Sequence, residues 1–453
     1  MEKRKLVWMI FALGLYLPGH AQEWVRLEAA QRSARPDTIR QLDLSRADLR
    51  RLPDWVYRCF LLKELNLSGN RIRKVPARLR QLDSLRVLVL SENGVTDRKR
   101  EVQQIYERYH QSGLAFYGDP KDDPVYFMNK SRMDSAREAT DEAIRRVKEA
   151  PNALVPRFGR LQNVRELSLS GNAATGVHRS IRKLRNLEQI NLSGNQMETI
   201  PSVLARLKNL KSINLNFNRV DLARSACNRF DKLERLSLSG NGISELPPTM
   251  AAMRRLKLLA LSRNRIASIG FDIGRCTQLS SLNFYDNQLT EMDPRLFGLT
   301  SLETLDFSYN HIREISPRIK RLKKLAFLSL AANQIRVVPE EISDLSLLMA
   351  LYLDSNYVSQ VPASLAKLKN LRVLHLQRNQ FSHFPSFLTQ LTQLEDLDIA
   401  DNRISELPMD IARLVHLKLF FLQHNAFDKK SEKYRVLHDV FTEMRKRNTV
   451  VND

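Results

Sequence analysis

The sequence lacks the short motifs that would place it in a common class of enzyme. It contains no glycine-rich phosphate loop, no pair of zinc ligands at a recognised spacing and no nucleophile motif. An acidic loop holds Asp119, Asp122 and Asp123, but these residues do not have the spacing of a calcium-binding loop and are predicted to form a solvated turn. We therefore predict no catalytic activity, no bound metal and no cofactor.

Cysteine is also scarce, with three residues in a chain of 453. Cys59, Cys227 and Cys276 lie far apart in the sequence, each at a position where an apolar residue recurs. Because free cysteine is among the most buried residue types, we predict three separate buried thiols.

Long apolar runs are absent after residue 21, so no later segment could span a membrane, which needs about 20 apolar residues. The N-terminus has a basic stretch at residues 2–5, an apolar run at 6–18 and the small-x-small sequence Gly-His-Ala at 19–21. This order predicts a signal peptide over residues 1–21. The alternative is an uncleaved anchor or a chance apolar start.

The most regular feature of the chain is an asparagine that returns every 23 residues, from Asn172 to Asn425. Each asparagine closes the pattern LxxLxLxxN, as in residues 233–241. A fixed period of this kind is typical of a solenoid. Leu236 and Leu238 alternate with polar neighbours, which predicts a short strand with one buried face, followed by a return segment. Stacked copies would pair these strands into a parallel sheet, and the buried asparagine would bond backbone groups at the turn.

This pattern resembles the leucine-rich repeat family, in the 23-residue class similar to Ras-pathway scaffolds, plant intracellular repeat proteins and many bacterial proteins. The best-matching stretch runs from Leu394 to Pro408. The resemblance implies an α/β solenoid, a curved horseshoe with a parallel β-sheet on its concave side and helical caps, commonly used to bind proteins. Secreted animal members usually close their ends with cysteine-rich caps, which this sequence does not have. Among exported members, the resemblance therefore favours a bacterial envelope protein.

Three further copies, centred on Ala47, Asn70 and Asn93, precede the main run and give about 15 repeats with one interruption. The predicted domains are an N-terminal cap at 22–37, three repeats at 38–94, a helical segment at 95–151, twelve repeats at 152–427 and a C-terminal capping helix at 428–453. The N-terminal cap is expected to be a helix that ends at Pro36, with Trp24 and Leu27 over the first repeat. The segment 95–151 is either an internal cap on a separate small solenoid or an insertion on the convex side of one unbroken horseshoe.

The net charge is +22, or +20 without residues 1–21. The five variable positions of LxxLxLxxN face the concave side and hold 12 Lys or Arg and 14 Asp or Glu over 15 repeats, so that face is nearly neutral. The excess must lie on the turns and return segments, for example at 182–183 and 320–324. It is either a solvated exterior or a contact surface for anionic envelope lipid or polysaccharide, and a nucleic acid partner is disfavoured.

The concave positions change from small polar residues in the early repeats to varied and aromatic residues in the later ones. The candidate partner-binding residues are Phe217, Tyr285, Tyr309, Phe327, Tyr352, His375, Arg378, Asp398, Asp401 and Phe421. Beside them runs an acidic group, Asp286, Asp306, Asp354, Glu395, Asp396, Asp398 and Asp401. Aromatic residues and arginine dominate interface energies, so Tyr309, Tyr352 and Arg378 are predicted to anchor a protein or peptide while the acidic group selects a basic stretch on it. The alternative is that the exposed rings only stabilise the sheet by cross-strand stacking.

These features predict an exported, non-enzymatic bacterial scaffold, in the periplasm, in the outer envelope or secreted, that binds a protein or peptide on its concave face. Two alternatives remain open. One is an envelope adhesin or glycan binder that uses the same aromatic residues. The other is an intracellular signalling scaffold in the cytoplasm, which requires that residues 1–21 are not a signal peptide.

Overall fold

The computed structural model describes residues 24–32, 35–72, 75–93, 158 and 161–453. In this part of the chain, 17 short strands form one open parallel sheet in which each strand pairs with the next along the sequence. The strands are, from β1 to β17, Val25–Arg26, Gln41–Asp43, Glu64–Asn66, Val87–Val89, Glu166–Ser168, Gln189–Asn191, Ser212–Asn214, Arg235–Ser237, Leu258–Ala260, Ser281–Asn283, Thr304–Asp306, Phe327–Ser329, Ala350–Tyr352, Val373–His375, Asp396–Asp398, Leu419–Phe421 and Val450–Asn452. The architecture is the predicted solenoid, a leucine-rich repeat horseshoe.

The return segments form short 3₁₀-helices rather than α-helices. They are, from η1 to η14, Pro36–Thr38, Asp54–Arg58, Ala77–Gln81, Arg179–Lys183, Ser202–Arg206, Cys227–Arg229, Pro248–Ala252, Ile273–Arg275, Pro294–Gly298, Pro317–Arg321, Glu340–Asp344, Ala363–Lys367, Ser386–Gln390 and Met409–Arg413. In many repeats a proline comes immediately before the helix, as Pro362 does before η12, with an extended backbone (φ −68°, ψ 144°). Only the five residues 363–367 separate this proline from the buried Leu368 at the end of the helix, which leaves room for i→i+3 bonds but not for an α-helix.

The strand register explains why the repeat length is constant. Leu328 of β12 pairs with Leu351 of β13, which pairs with Leu374 of β14, each 23 residues further on. These leucines are fully buried, as are the leucines two residues later, such as Leu353. Each contributes about 1.5–3 kcal/mol by burial, so the same face of every strand must point inwards.

The recurring asparagines are buried, except for the half-buried Asn241 and Asn425, and bond the backbone on both sides of each turn. Asn356 donates from Nδ2 to the carbonyls of Leu353 (3.0 Å) and Leu330 (2.9 Å), and its Oδ1 accepts from the N–H of Ile335 at 3.0 Å. The bonds therefore join each repeat to the one before it. Ala47 takes the place of the asparagine in the first repeat. No full repeat precedes it, so an asparagine at this position would lack the preceding backbone that the other asparagines bond.

The C-terminal end of the stack is covered by α2 (Glu432–Lys446) and then by β17. Tyr434, Leu437, Phe441 and Met444 are buried against the last repeat, and the Phe441 ring lies 6.1 Å from that of Phe420. Of the helices that the structure describes, none has the length and apolar character needed to cross a membrane.

At the N-terminus the structure differs from the predicted helix. Val25 and Arg26 form a strand that pairs with β2, and α1 is confined to Leu27–Arg32. Pro36 begins η1 instead of ending a helix, because proline is favoured at the first position of a helical turn. Of the two residues predicted to cover the first repeat, Trp24 is 40% exposed, whereas Leu27 is half-buried and packs against the core. Ala30 is buried.

The sheet is continuous across the interruption in the repeats. Val87 of β4 pairs with Glu166 of β5, and the Asn93 N–H donates to Oδ1 of Asn172 at 2.8 Å, although 79 residues separate them in sequence. This pairing is the one expected for an unbroken horseshoe. The predicted helical segment at 95–151 and the predicted signal peptide at 1–21 lie outside the described residues.

Candidate partner-binding surface

Each repeat presents five variable side chains on the concave side, and the last of them has a left-handed backbone. This fifth residue, immediately before the asparagine, has φ between 51° and 66° in all 15 repeats. It is glycine at Gly171, Gly194 and two further repeats, whereas Tyr309 and Arg378 adopt the same conformation at a cost of about 1 kcal/mol or more each. The fold accepts glycine here, so the bulky side chains at this position are not needed to make the turn.

The aromatic residues of the later repeats lie in contact across neighbouring strands. The Tyr285 and Tyr309 rings are 5.1 Å apart, and Tyr352 lies 5.3 Å from Phe327 and 4.8 Å from His375. These side chains are half-buried rather than exposed as the sequence suggested, because each ring covers its neighbour. Cross-strand stacking therefore accounts for part of their presence, while their outer surfaces still face the concave side.

Phe217 is separate from this group. It lies three repeats before Tyr285, and its ring covers Gly240, where an added Cβ would stand 2.6 Å from a ring carbon. The structure therefore brings together the later candidates and leaves Phe217 over a stretch of small residues.

Four aspartates surround Tyr352 and His375. Oδ2 of Asp396 is 3.3 Å from Nε2 of His375, and Asp354 and Asp398 lie close enough to act on its charge. Asp398, one of the candidate residues, is only 4% exposed. With its nitrogen turned toward this carboxylate, the Gln377 amide donates to Oδ1 of Asp398 at 3.1 Å.

The fourth aspartate, Asp306, is held by its own set of donors. It accepts from the Ser308 N–H at 3.0 Å, from the Ser308 hydroxyl at 2.7 Å and from Nδ2 of Asn283 at 3.2 Å. Asn283, Ser308 and Gln377 were not among the predicted site residues. Their signal in the sequence is position, since each lies at a concave position next to a predicted acidic residue.

Burial shifts the protonation of this group. It raises the pKa of Asp306 to about 6 against the pull of the Ser308 hydrogen bonds, and the pKa of Asp398 to about 6 against the nearby His375. Burial also raises the pKa of Asp354. For His375, burial acts to lower the pKa, but Asp396, Asp354 and Asp398 together outweigh it, so the pKa is raised. At neutral pH the group carries more negative than positive charge.

Arg378 is held by a neighbouring repeat and does not project freely. Its Nε donates to Oδ2 of Asp401 at 3.2 Å, and Oδ1 of the same carboxylate is 2.7 Å from Nδ1 of His424. The Arg378 side chain is 17% exposed, so a partner would meet the Arg378–Asp401 pair as a unit. Phe421 lies in register with Asp398 at the end of the group.

Two members of the predicted acidic group have other surroundings. Glu395 lies at the first concave position, where it pairs with Arg372 at 3.3 Å and with Lys418. Asp286 occupies a left-handed fifth position (φ 56°). In the described residues there is also no group of three His, Cys, Asp or Glu side chains arranged to hold a metal ion.

Comparison with known families matches repeats along most of the described chain. The family model described as "Leucine-rich repeat region" matches residues 313–446, "Leucine rich repeat" matches 158–220 and 277–335, and "Leucine Rich Repeat" matches 61–82 and 232–253. A search of curated proteins finds no match.

Solved structures of the same fold come from bacteria and plants. A leucine-rich repeat protein of Leptospira interrogans is 23% identical with a TM-score of 0.67, and the match covers 95% of this chain and 100% of that one. An internalin of Listeria monocytogenes is 24% identical with a TM-score of 0.54, over 64% of this chain and 79% of its own.

A plant receptor kinase ectodomain is also similar. The GASSHO1/SCHENGEN3 ectodomain of Arabidopsis thaliana, solved in complex with CASPARIAN STRIP INTEGRITY FACTOR 2, is 22% identical with a TM-score of 0.52, over 83% of this chain and 43% of its own. At these identities the similarity concerns the fold. With the family matches and the asparagine-bonded parallel sheet, it shows that this chain belongs to the leucine-rich repeat family.

Proposed function

We propose that the chain is an exported, non-enzymatic scaffold that binds a protein or peptide through the later repeats of its concave face. Leucine-rich repeat chains generally are binding scaffolds without catalytic activity, and solved relatives include a receptor ectodomain in a complex. The observation that carries the proposal is the group of aspartates around Tyr352 and His375, which combines half-buried rings with excess negative charge in one place.

The chemistry of this group favours a basic side chain on the partner. Asp354 and Asp396 lie close enough to Tyr352 for their charges to act on its hydroxyl group, so a lysine or arginine there would meet both charge and a ring. The Asp396 side chain is 22% exposed, so part of this carboxylate is open to the concave side. A cationic donor on the partner can therefore form a charge-assisted hydrogen bond with Asp396.

Export and a bacterial origin are part of the same proposal. They rest on the basic, apolar and small-residue order of residues 1–21 and on the lack of cysteine-rich caps. Similarity to a Leptospira protein and a Listeria internalin supports a bacterial setting, in the periplasm, in the outer envelope or outside the cell.

The test is selection of peptides from a phage-displayed random library on the full chain, followed by binding measurements. We expect enriched peptides with a lysine or arginine flanked by apolar residues. The variant Asp354→Asn/Asp396→Asn preserves side-chain shape and should weaken binding about tenfold to a hundredfold, since each change removes a charge-assisted contact. The matched control, Glu64→Gln/Glu166→Gln, removes two carboxylates from early concave positions and should bind as wild type.

Two outcomes would replace the proposal. If no peptide is enriched and a glycan array gives specific binding instead, the face is that of an adhesin or glycan binder. If both double variants weaken peptide binding equally, only the overall charge matters and the aspartate group is not the site.

A further inference from the structure

The excess positive charge is concentrated on one flank of the solenoid. We define the basic flank by three positions at the end of each return segment. They are the last residue of each helix from η2 to η14 and the second and third residues after it. Sixteen of these residues are Lys or Arg and three are Asp. The sixteen are Arg58, Lys183, Arg185, Arg206, Lys208, Arg229, Lys232, Arg254, Arg255, Arg275, Arg321, Lys323, Lys324, Lys367, Lys369 and Arg413, and all are exposed.

Few of these cations are neutralised by the protein. Lys323 lies 4.0 Å from Asp344, and Arg413 lies 3.4 Å from Asp410. The other fourteen make no ion pair with any residue that the structure describes. Elsewhere the chain does pair its charges, as where Glu188 contacts both Arg165 and Lys211 at 3.1 Å. The basic flank therefore keeps most of its positive charge unneutralised.

Nine of the thirteen turns carry these cations, and the turns from η4 to η8 carry them without a gap. On the flank itself, Nδ2 of Asn209 donates to the Arg185 carbonyl at 3.2 Å, and Nδ2 of Asn370 donates to the Ser346 carbonyl at 2.8 Å. Successive turns are thus in contact, so the cations of η4 to η8 stand close together. A dense row of like charges repels itself and favours an anionic partner.

The flank on the other side of the solenoid, where the chain leaves each strand, has nearly balanced charge. At the first, third and fourth positions after each repeat asparagine (and after Ala47), the described residues include nine Lys or Arg and eight Asp or Glu. The concave face is also nearly balanced. The charge of +22 therefore arises mainly from a single flank and is not a uniform property of the exterior.

Exposed apolar side chains share the flank with the cations. Phe60 and Leu61 are 57% and 49% exposed near the first repeats, and Leu347 and Val415 are 50% and 54% exposed further along. All four occupy the second or third flank position, where other repeats have Lys or Arg. A soluble acidic polymer would use the cations but would gain nothing from these apolar groups. A lipid surface uses both, because cations meet the headgroup phosphates and apolar side chains enter the acyl boundary.

We propose that the basic flank docks the solenoid on an anionic phospholipid surface, with Phe60, Leu61, Leu347 and Val415 entering the interface. The concave face would then stand beside the membrane and stay open to its partner. The two surfaces are separate, so a failure of one leaves the other standing.

The experiment is sedimentation of the full chain with vesicles of phosphatidylcholine and phosphatidylglycerol, compared with vesicles of phosphatidylcholine alone. We expect binding to the anionic vesicles that weakens with added salt. The variant Lys183→Gln/Arg206→Gln/Arg229→Gln should bind roughly a hundredfold more weakly, since each basic residue near an anionic bilayer contributes about fivefold. The matched control, Arg265→Gln/Arg313→Gln/Arg403→Gln, removes the same charge from the opposite flank and should bind as wild type.

A second variant separates lipid from other anions. Phe60→Gln/Leu61→Gln should weaken binding to anionic vesicles and leave binding to dextran sulfate, a soluble polyanion, unchanged. All variants carry the same residues 1–21, so differences among them do not come from that segment. The proposal is overturned if the chain does not bind anionic vesicles, or if the two triple variants lose vesicle binding equally. It is also overturned if the Phe60/Leu61 variant binds vesicles as tightly as wild type and the wild-type chain binds dextran sulfate as tightly as it binds anionic vesicles.

Discussion

Replacing one repeat asparagine by alanine tests whether these residues hold the stack together. We take Asn333→Ala, in the middle of the later repeats. Asn333 Oδ1 accepts from the Ile312 N–H at 2.9 Å, and its Nδ2 donates to the carbonyls of Phe307 and Leu330, both at 3.0 Å. The side chain is 7% exposed, so water does not replace these bonds readily.

The loss of stability in Asn333→Ala depends on which backbone groups would still have another hydrogen-bond partner. The Phe307 carbonyl still accepts from Asn310 at 2.9 Å, and the Leu330 carbonyl still accepts from Asn356 at 2.9 Å. The Ile312 N–H has only Asn333, so the variant leaves it buried and unbonded at about 1–3 kcal/mol. Nδ2 also approaches the Ala331 carbonyl at 3.1 Å, and that carbonyl still accepts from the Tyr309 N–H at 2.8 Å. With the loss of the bonds to the Phe307 and Leu330 carbonyls, at about 1 kcal/mol each, we expect a total cost of roughly 3–5 kcal/mol.

Two assays read this effect. Urea denaturation gives the change in the unfolding midpoint, and hydrogen–deuterium exchange reports whether the backbone around Ile312 opens locally, as expected in a stack of nearest-neighbour repeats. Asn370→Ala is the matched control, because it makes the same chemical change at an exposed asparagine with one bond to the Ser346 carbonyl. Equal midpoints for the two variants, with no faster exchange near Ile312, would refute the role assigned to the repeat asparagine.

Three further predictions concern backbone, charge and thiols. Gly240→Ala should destabilise the fold by about 1–2 kcal/mol more than Gly242→Ala in thermal unfolding, because both glycines have positive φ but only Gly240 lies under the Phe217 ring; equal effects would contradict the contact. The pKa of Asp398 is raised to about 6 in the folded chain, against a value near 4 in the unfolded chain. Between these two pH values the folded state binds more protons than the unfolded state. The contribution of Asp398 to stability therefore rises as the pH falls from about 6 to about 4. Asp398→Asn should therefore raise the free energy of unfolding at pH 7 by about 1–2 kcal/mol, and this gain should shrink towards pH 4. A gain in stability that does not depend on pH would contradict this prediction. Burial raises the pKa of Cys59, Cys227 and Cys276 to about 11. A thiol reagent at about pH 7.5 should therefore label them only after unfolding. Rapid labelling of the native chain would contradict their burial.

The repeat made most of the fold predictable, because a fixed spacing determines which side chains share a face once the strands pair in register. The positions of Leu351 and Leu374 in the core, and the backbone bonds of Asn356, follow from the 23-residue period alone. The type of return helix did not follow as directly, since a five-residue segment after Pro362 carries no helical period long enough to identify.

The ends and the site depended on contacts that the period does not contain. Val25–Arg26 and Val450–Asn452 join the sheet as strands outside any LxxLxLxxN pattern, so only tertiary pairing reveals them. The aromatic residues were correctly placed on the concave side, but their mutual burial and the pairing of Arg378 with Asp401 depend on side-chain conformation. The left-handed fifth position had a visible signal in the glycines at Gly171, Gly194 and Gly240.

The most direct test of the proposed function is site-specific photo-crosslinking in the organism that produces the chain. A photoreactive amino acid replaces Tyr352, and for comparison it replaces Asn214, which lies at the same concave position of an early repeat. The proposal predicts one discrete protein adduct from position 352, none from position 214, and loss of that adduct in the Asp354→Asn/Asp396→Asn background. An equal adduct from both positions, an adduct that survives the double substitution, or no protein adduct at all would contradict it.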